Sequence, residues 1–265
     1  MGSNAMRENR LRTLLNEGKP SFGTRVQSSW PTITEIVGRS QQFDYVEFLA
    51  EYAPYDLYAL DNLGRAIELY PNFTGLIKME RSAQQHVAVR AMAAGIQNLL
   101  FTDVRNAEDA EQCIRIAKPE VPGSVGTHGN DAGRAAIGGV IELTKRYQDS
   151  VIVLMIEKKG AVENLESILA VKGVDMVQFG PSDYGMSIGL GGQRDHPTVV
   201  EAREHVIKTA LKMGVRPRAE ISSPAEAEYY LNLGVKDFNL STDTAILAGF
   251  YRDQGAKLRE VVDHA

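Results

Sequence analysis

Eight short apolar runs, each followed by a helix-like pattern, most constrain what this chain can fold into. The β-like runs are 21–26, 44–48, 74–78, 98–101, 150–156, 175–179, 215–220 and 237–240. The helical patterns are 32–40, 57–70, 84–94, 107–117, 161–170, 197–213, 224–233 and 242–262. Most runs are apolar on both faces, which suits parallel strands covered by helices. Ser82, Asn106 with Asp109 at the capping-box spacing, and Ser223 before Pro224 are start signals. Gly95, Gly214 and Gly234 close helices just before the next strand. The alternation predicts an α/β chain forming one TIM-type (β/α)8 barrel, which needs roughly 250 residues. An open doubly wound sheet is the alternative, because alternation alone does not show closure.

The chain has 265 residues, of which 1–5 read as a cloning scar, leaving 6–265 for a single domain. Hydrophobic residues make up 43%, enough for a sizeable core, and the formal charge is −5. That charge offers no basic field to a phosphate backbone, so nucleic acid is not an expected partner. The densest apolar run, 151–156, is far shorter than the roughly 18 residues of a membrane span. No charged-then-apolar signal segment opens the chain. One cysteine, Cys113, excludes internal disulfides and cysteine metal clusters; a reducing, cytoplasmic setting is expected.

In a parallel barrel, functional groups gather where strands end. Glu157 ends the fifth run and Asp183 follows the sixth, one β–helix–β unit later. Neighbouring parallel strands lie about 4.8 Å apart. Two carboxylates there can share a Mg2+ or Mn2+ at ligand distances of about 2.1 Å, leaving most of its shell open. A helix cap, or a charge cluster of Glu157 with Lys158 and Lys159, explains the same acids without a metal. Gly180, Pro181, Ser182 and Asp183 form a small-residue turn whose amides can approach an anion, or an ordinary turn.

Lys78 ends the third run, where it can stabilise an oxyanion, form a Schiff base or simply meet solvent. Glu47 lies within an apolar run and needs a partner; Lys78, one strand over, is a candidate. Segment 118–139 holds Gly123, Gly126, Gly129 and Gly133, and is expected to be a lid or binding loop, or else a flexible linker. His128 within it is the one histidine placed to swing over a site. His86, His196, His205 and His264 form no ligand pattern.

Glu51-Tyr52-Ala53-Pro54 after the second run, Ile156-Glu157, Gly180-Pro181-Ser182-Asp183 and the Ser241-Thr242-Asp243-Thr244 ending resemble the HpcH/HpaI family of metal-dependent pyruvate aldolases. The resemblance runs from about Gly23 to the final helix. It implies a TIM barrel whose last helix is exchanged between subunits of a trimer or hexamer. It implies Glu157 and Asp183 as ligands of Mg2+, Mn2+ or Co2+, with the Ser182 and Asp183 amides beside the pyruvate carboxylate. The implied reaction cleaves a 4-hydroxy-2-oxo acid to pyruvate and an aldehyde.

The chain also departs from the family pattern. Leu49 and Tyr52 stand where the family has an Asp–His base, Lys78 where it has arginine, Met155 where it has glutamine and Arg25 where it has tryptophan. Lys for Arg keeps charge and loses bidentate geometry. Tyr for His exchanges a group titrating at about 6.5 for one at about 10. Candidate bases are a water on the cation, Tyr52 with a lowered pKa, and Glu51; Arg25 can meet a substrate's acidic tail or form a rim salt bridge. Two further functions remain: a related barrel lyase acting on an acyl-CoA ester or phosphoenolpyruvate, its larger ligand met by loop 118–139, and a non-catalytic binder of metal and 2-oxo acid.

Overall fold

The computed structural model describes residues 7–130, 133–134, 137 and 139–264; residues 1–5, expected from the sequence to be a cloning scar, lie outside them. Eight parallel strands close in sequence order: β1 (Ser21–Val26), β2 (Tyr45–Leu49), β3 (Thr74–Met79), β4 (Asn98–Phe101), β5 (Ile152–Ile156), β6 (Met176–Phe179), β7 (Arg216–Ile221) and β8 (Asp237–Thr242). Strand β1 pairs with β2 through Gly23–Tyr45 and with β8 through Ser21–Asp237. That second pairing sets aside the open sheet. Gly23 makes room for the Tyr45 ring of the neighbouring strand: a Cβ there would lie 2.3 Å from it.

The helices are α1 (Arg10–Asn16), α2 (Pro31–Ser40), α3 (Leu57–Glu68), α4 (Gln84–Ala94), α5 (Ala107–Ala117), α6 (Val140–Gln148), α7 (Lys159–Glu163), α8 (Leu165–Leu169), α9 (Pro181–Ser187), α10 (Pro197–Met213), α11 (Ala227–Asn232) and α12 (Asp243–Asp263). The main core lies between the strands and the surrounding helices, from Val26 and Phe48 round to Val206 and Val215. A smaller cluster fills the barrel interior with Tyr45, Leu76, Leu100, Val153, Met155 and Met176. Helix α1 plugs that interior from below: Leu11 is fully buried in the cluster, and Arg12 pairs with Asp175 at 2.6 Å. Burying one such leucine contributes about 1.5–3 kcal/mol.

Segment 118–139 is irregular in its described residues, as expected, yet it is no lid. It joins the end of α5 to α6 and the start of β5, and its described residues lie at the barrel end opposite the strands' C-termini. Arg134 bonds Glu68 and the Ala94 carbonyl, both at helix C-terminal ends, and Lys118 bonds the Ser150 carbonyl at 2.7 Å. His128 is buried with its ring 4.0 Å from that of Tyr147, so it does not swing over the mouth. This placement removes the feature that would have housed an acyl-CoA.

Helix α12 leaves the barrel with only Asp243 buried; Ile246, Leu247, Phe250, Tyr251, Leu258, Val261 and Val262 are exposed. No helix among the described residues is long and apolar enough to cross a membrane.

Candidate active site

Strands β5 and β6 align Ile156 with Phe179, which puts Glu157 and the start of α9 side by side at the mouth. Glu157 is 3% exposed and folds its carboxylate over Gly180, where a Cβ would lie 2.6 Å from Glu157 Cβ and 2.8 Å from Oε2. Gly180 has an ordinary φ of −103°, so steric room rather than backbone freedom calls for glycine. Glu157 Oε1 accepts from the Asp103 N–H at 3.0 Å. Burial pushes the Glu157 carboxyl up to about 7, against the Asp103 amide and the charge of Lys78, and the nearby Asp183 adds to the rise. Pro181 starts α9, and helix geometry leaves the Ser182 and Asp183 N–H groups without intrahelical acceptors.

Asp183 does not stand alone. Lys158 Nζ lies 2.9 Å from Asp183 Oδ1 and 2.9 Å from Asp103 Oδ1. The charge cluster anticipated from Lys158 therefore exists, but its acids are Asp183 and Asp103 rather than Glu157. Burial disfavours the Lys158 ammonium, and the two carboxylates outweigh burial and raise its pKa. Asp103, which follows β4, has φ +59°, in the left-handed region that asparagine and aspartate tolerate best. The signal that marks Glu157, a polar residue where an apolar run stops, is present at Thr102-Asp103 as well.

Across the mouth, Lys78 pairs with Glu51 at 2.8 Å and donates to the Tyr52 hydroxyl at 2.8 Å. Burial alone would lower its pKa; Tyr52 and Glu51 outweigh that and keep it protonated, which opposes a Schiff base. The Tyr52 hydroxyl is pushed up to about 12, chiefly by burial and against the pull of Lys78, the opposite of the lowered pKa a phenol base needs. Leu49 is buried and contributes packing.

Glu47 is not the partner of Lys78. It pairs with Arg218 at 2.7 Å, both side chains fully buried, and accepts from Asn239 at 2.6 Å. Arg218 donates to Gln178, Gln178 to Glu220, and Glu220 pairs with Arg25 at 2.8 Å. Burial disfavours the Glu220 carboxylate, yet Arg25, Lys78 and Arg218 together hold its pKa below the usual range. Arg25 thus forms the rim salt bridge, with Nε on the Ser241 carbonyl at 3.0 Å. The period-two series Arg216, Arg218, Glu220 on β7 was the available signal for this inward polar layer. Beside it, a cavity of about 630 Å3 reaches Arg25 and Ser182 between β6, β7, α10 and α11.

Among the described residues no three histidine, cysteine or acidic side chains form a ready metal cluster. The donor set nevertheless fits a hard divalent cation held by two carboxylates. Glu157 is buried with no donor on Oε2 among the described residues, and Asp183 already attracts one cationic group.

The sequence profile of the HpcH/HpaI aldolase/citrate lyase family matches residues 76–244. The chain is 29% identical over 243 residues to a 4-hydroxy-2-oxo-heptane-1,7-dioate aldolase of Shigella boydii serotype 18, covering 91% of each chain. An HpcH/HpaI aldolase from Desulfitobacterium hafniense DCB-2 superposes with a TM-score of 0.83 at 28% identity, over 94% of this chain and 96% of that one. An HpcH/HpaI aldolase/citrate lyase family protein from Burkholderia cenocepacia J2315 gives 0.86 at 25% identity, over 95% and 100%. With a closed eight-stranded barrel and acidic groups at its mouth, the chain belongs to the HpcH/HpaI aldolase/citrate lyase family.

Proposed function

We propose that this protein is a divalent-metal-dependent carbon–carbon lyase that cleaves a 4-hydroxy-2-oxo acid to pyruvate and an aldehyde. The observation that carries this reading is Glu157 and Asp183 on neighbouring strand ends, facing a mouth that also holds the protonated Lys78. Glu157 and Asp183 would hold Mg2+, Mn2+ or Co2+. When bound, the cation supplies a Lewis acid for the carboxylate and keto oxygen of the 2-oxo acid.

The chain's own groups do the rest. The Ser182 and Asp183 amides receive the substrate carboxylate. Glu51, held at the mouth 2.8 Å from Lys78, takes the C4 hydroxyl proton, while Tyr52, held up to about 12, stays a phenol near neutrality. The C3–C4 electron pair moves into the enolate, the aldehyde departs, and Lys78 stabilises the developing oxyanion until Glu51 returns its proton to C3. Arg25 Nη2, which has no protein partner among the described residues, faces the role of meeting an acidic tail. The exposed apolar residues of α12 support a homo-oligomer, which the family resemblance implies to be a trimer or hexamer with that helix exchanged. Truncation after Thr244 is then expected to give monomers by light scattering.

A second reading, binding without turnover, is favoured by the absence of a histidine base at Tyr52. Pyruvate release from a panel of 4-hydroxy-2-oxo acids with Mg2+ or Mn2+ separates the two. Turnover that stops with chelator supports the lyase; oxalate binding by calorimetry with no turnover on any substrate supports the binder. Turnover that survives complete chelation overturns the metal-dependent reading.

A further inference from the structure

We propose that Lys158 is a built-in counter-ion of the site, so that a divalent cation enters by exchange with an ammonium group. Asp103 is the berth to which that ammonium withdraws. The inference rests on Glu157 and Asp183 being the metal-holding pair.

The geometry joins four side chains. Lys158 bridges Asp183 and Asp103 at 2.9 Å each, while the Asp103 N–H holds Glu157 Oε1 at 3.0 Å. Arg81 fixes Asp103 from behind, donating to its carbonyl oxygen at 2.6 Å, and is itself held by Asp109 at 2.7 and 3.0 Å. Asp103 is therefore a fixed post that touches one member of the metal pair through its backbone and releases or retains Lys158 through its carboxylate.

Charge decides the direction. With all four ionised, Glu157, Asp183, Asp103 and Lys158 sum to −2, with Arg105 3.9 Å from Asp103 Oδ1 offsetting part of that charge, so the site attracts a divalent cation while Lys158 stays close. Expulsion of the lysine to solvent would give up both of its ion pairs; withdrawal to Asp103 keeps one of them. A monovalent ion gains nothing over the ammonium it would replace, so the exchange selects for doubly charged ions. Lys158 is a positioning residue here, acting on the metal through Asp183.

The test is Mn2+ binding to chelator-stripped protein, read by loss of the free-ion paramagnetic resonance signal and so independent of turnover. Lys158→Met is expected to bind Mn2+ roughly tenfold more tightly than wild type, and Lys158→Arg to restore the weaker affinity. Asp103→Asn, which keeps the backbone amide and removes the berth, is expected to weaken binding. Asp183→Asn is expected to abolish it. Lys158→Met equal to or weaker than wild type, with Asp183→Asn still inactive in binding, overturns the exchange and leaves the metal pair standing. Unchanged binding in Asp183→Asn overturns both. Asp103→Asn as tight as wild type overturns the berth.

Discussion

The Lys78 ammonium is shared between Glu51 and the Tyr52 hydroxyl, 2.8 Å from each, at the aligned ends of β2 and β3. It is 6% exposed, and its neighbours keep it charged. Lys78→Met is expected to lower kcat by about 10²–10³, the usual cost of losing one oxyanion donor. Lys78→Arg should retain part of the rate. Borohydride treatment with pyruvate should leave no adduct by mass spectrometry; a trapped adduct at Lys78 would replace the oxyanion role with imine chemistry.

Glu157 makes metal-free stability depend on pH. Burial raises its carboxyl from 4.5 to about 7, so between those values the folded chain holds a proton the unfolded chain has lost. Stability is thus greatest below pH 4.5 on this account and falls as pH rises through 7. In chelator, Glu157→Gln should match wild type at pH 4.5 and exceed it at pH 8 by on the order of 3 kcal/mol. Urea denaturation at the two pH values measures this, and an equal gap at both would refute it.

The buried Glu47–Arg218 pair predicts strong coupling. Glu47→Leu or Arg218→Met alone leaves a charge unpaired inside the barrel and should cost about 3–5 kcal/mol. The double variant removes both charges and should cost less than the sum of the singles. Additive losses in a double-mutant cycle would show that the two residues act separately.

Gly180→Ala probes the contact on which the site's shape depends. The new Cβ must displace the Glu157 carboxylate, because it would otherwise lie 2.6 Å from Glu157 Cβ. Mn2+ affinity and kcat/KM are both expected to fall at least about tenfold while the fold persists. Unchanged metal affinity would show that Glu157 has another resting place.

Much of this architecture was legible in the residues. β1, β4, α4, α5 and α10 begin and end where their patterns do, because each has a face apolar enough, or a cap clear enough, to be read locally. Helix α1 was missed because its seven residues bury only Leu11 and Leu14, too few for a period. The 161–170 pattern breaks at Asn164 into α7 and α8. Within the site, Glu157 and Asp183 announced themselves by position after their strands. The Glu47–Arg218 pair did not, since only closure brings β7 across from β2. Lys158 misled for a simpler reason: successive side chains leave an extended segment in opposite directions, so its ammonium passes Glu157 and lands on Asp183 and Asp103.

The stopper formed by α1 has a kinetic corollary. With Leu11 packed into the filled interior, the described residues offer ligands the mouth and not the floor. If pyruvate rests against Ser182 and Asp183 while the aldehyde half lies outward, the aldehyde must depart before the keto acid does. Pyruvate should accordingly inhibit as the last product released, competing with the incoming substrate for the vacated place.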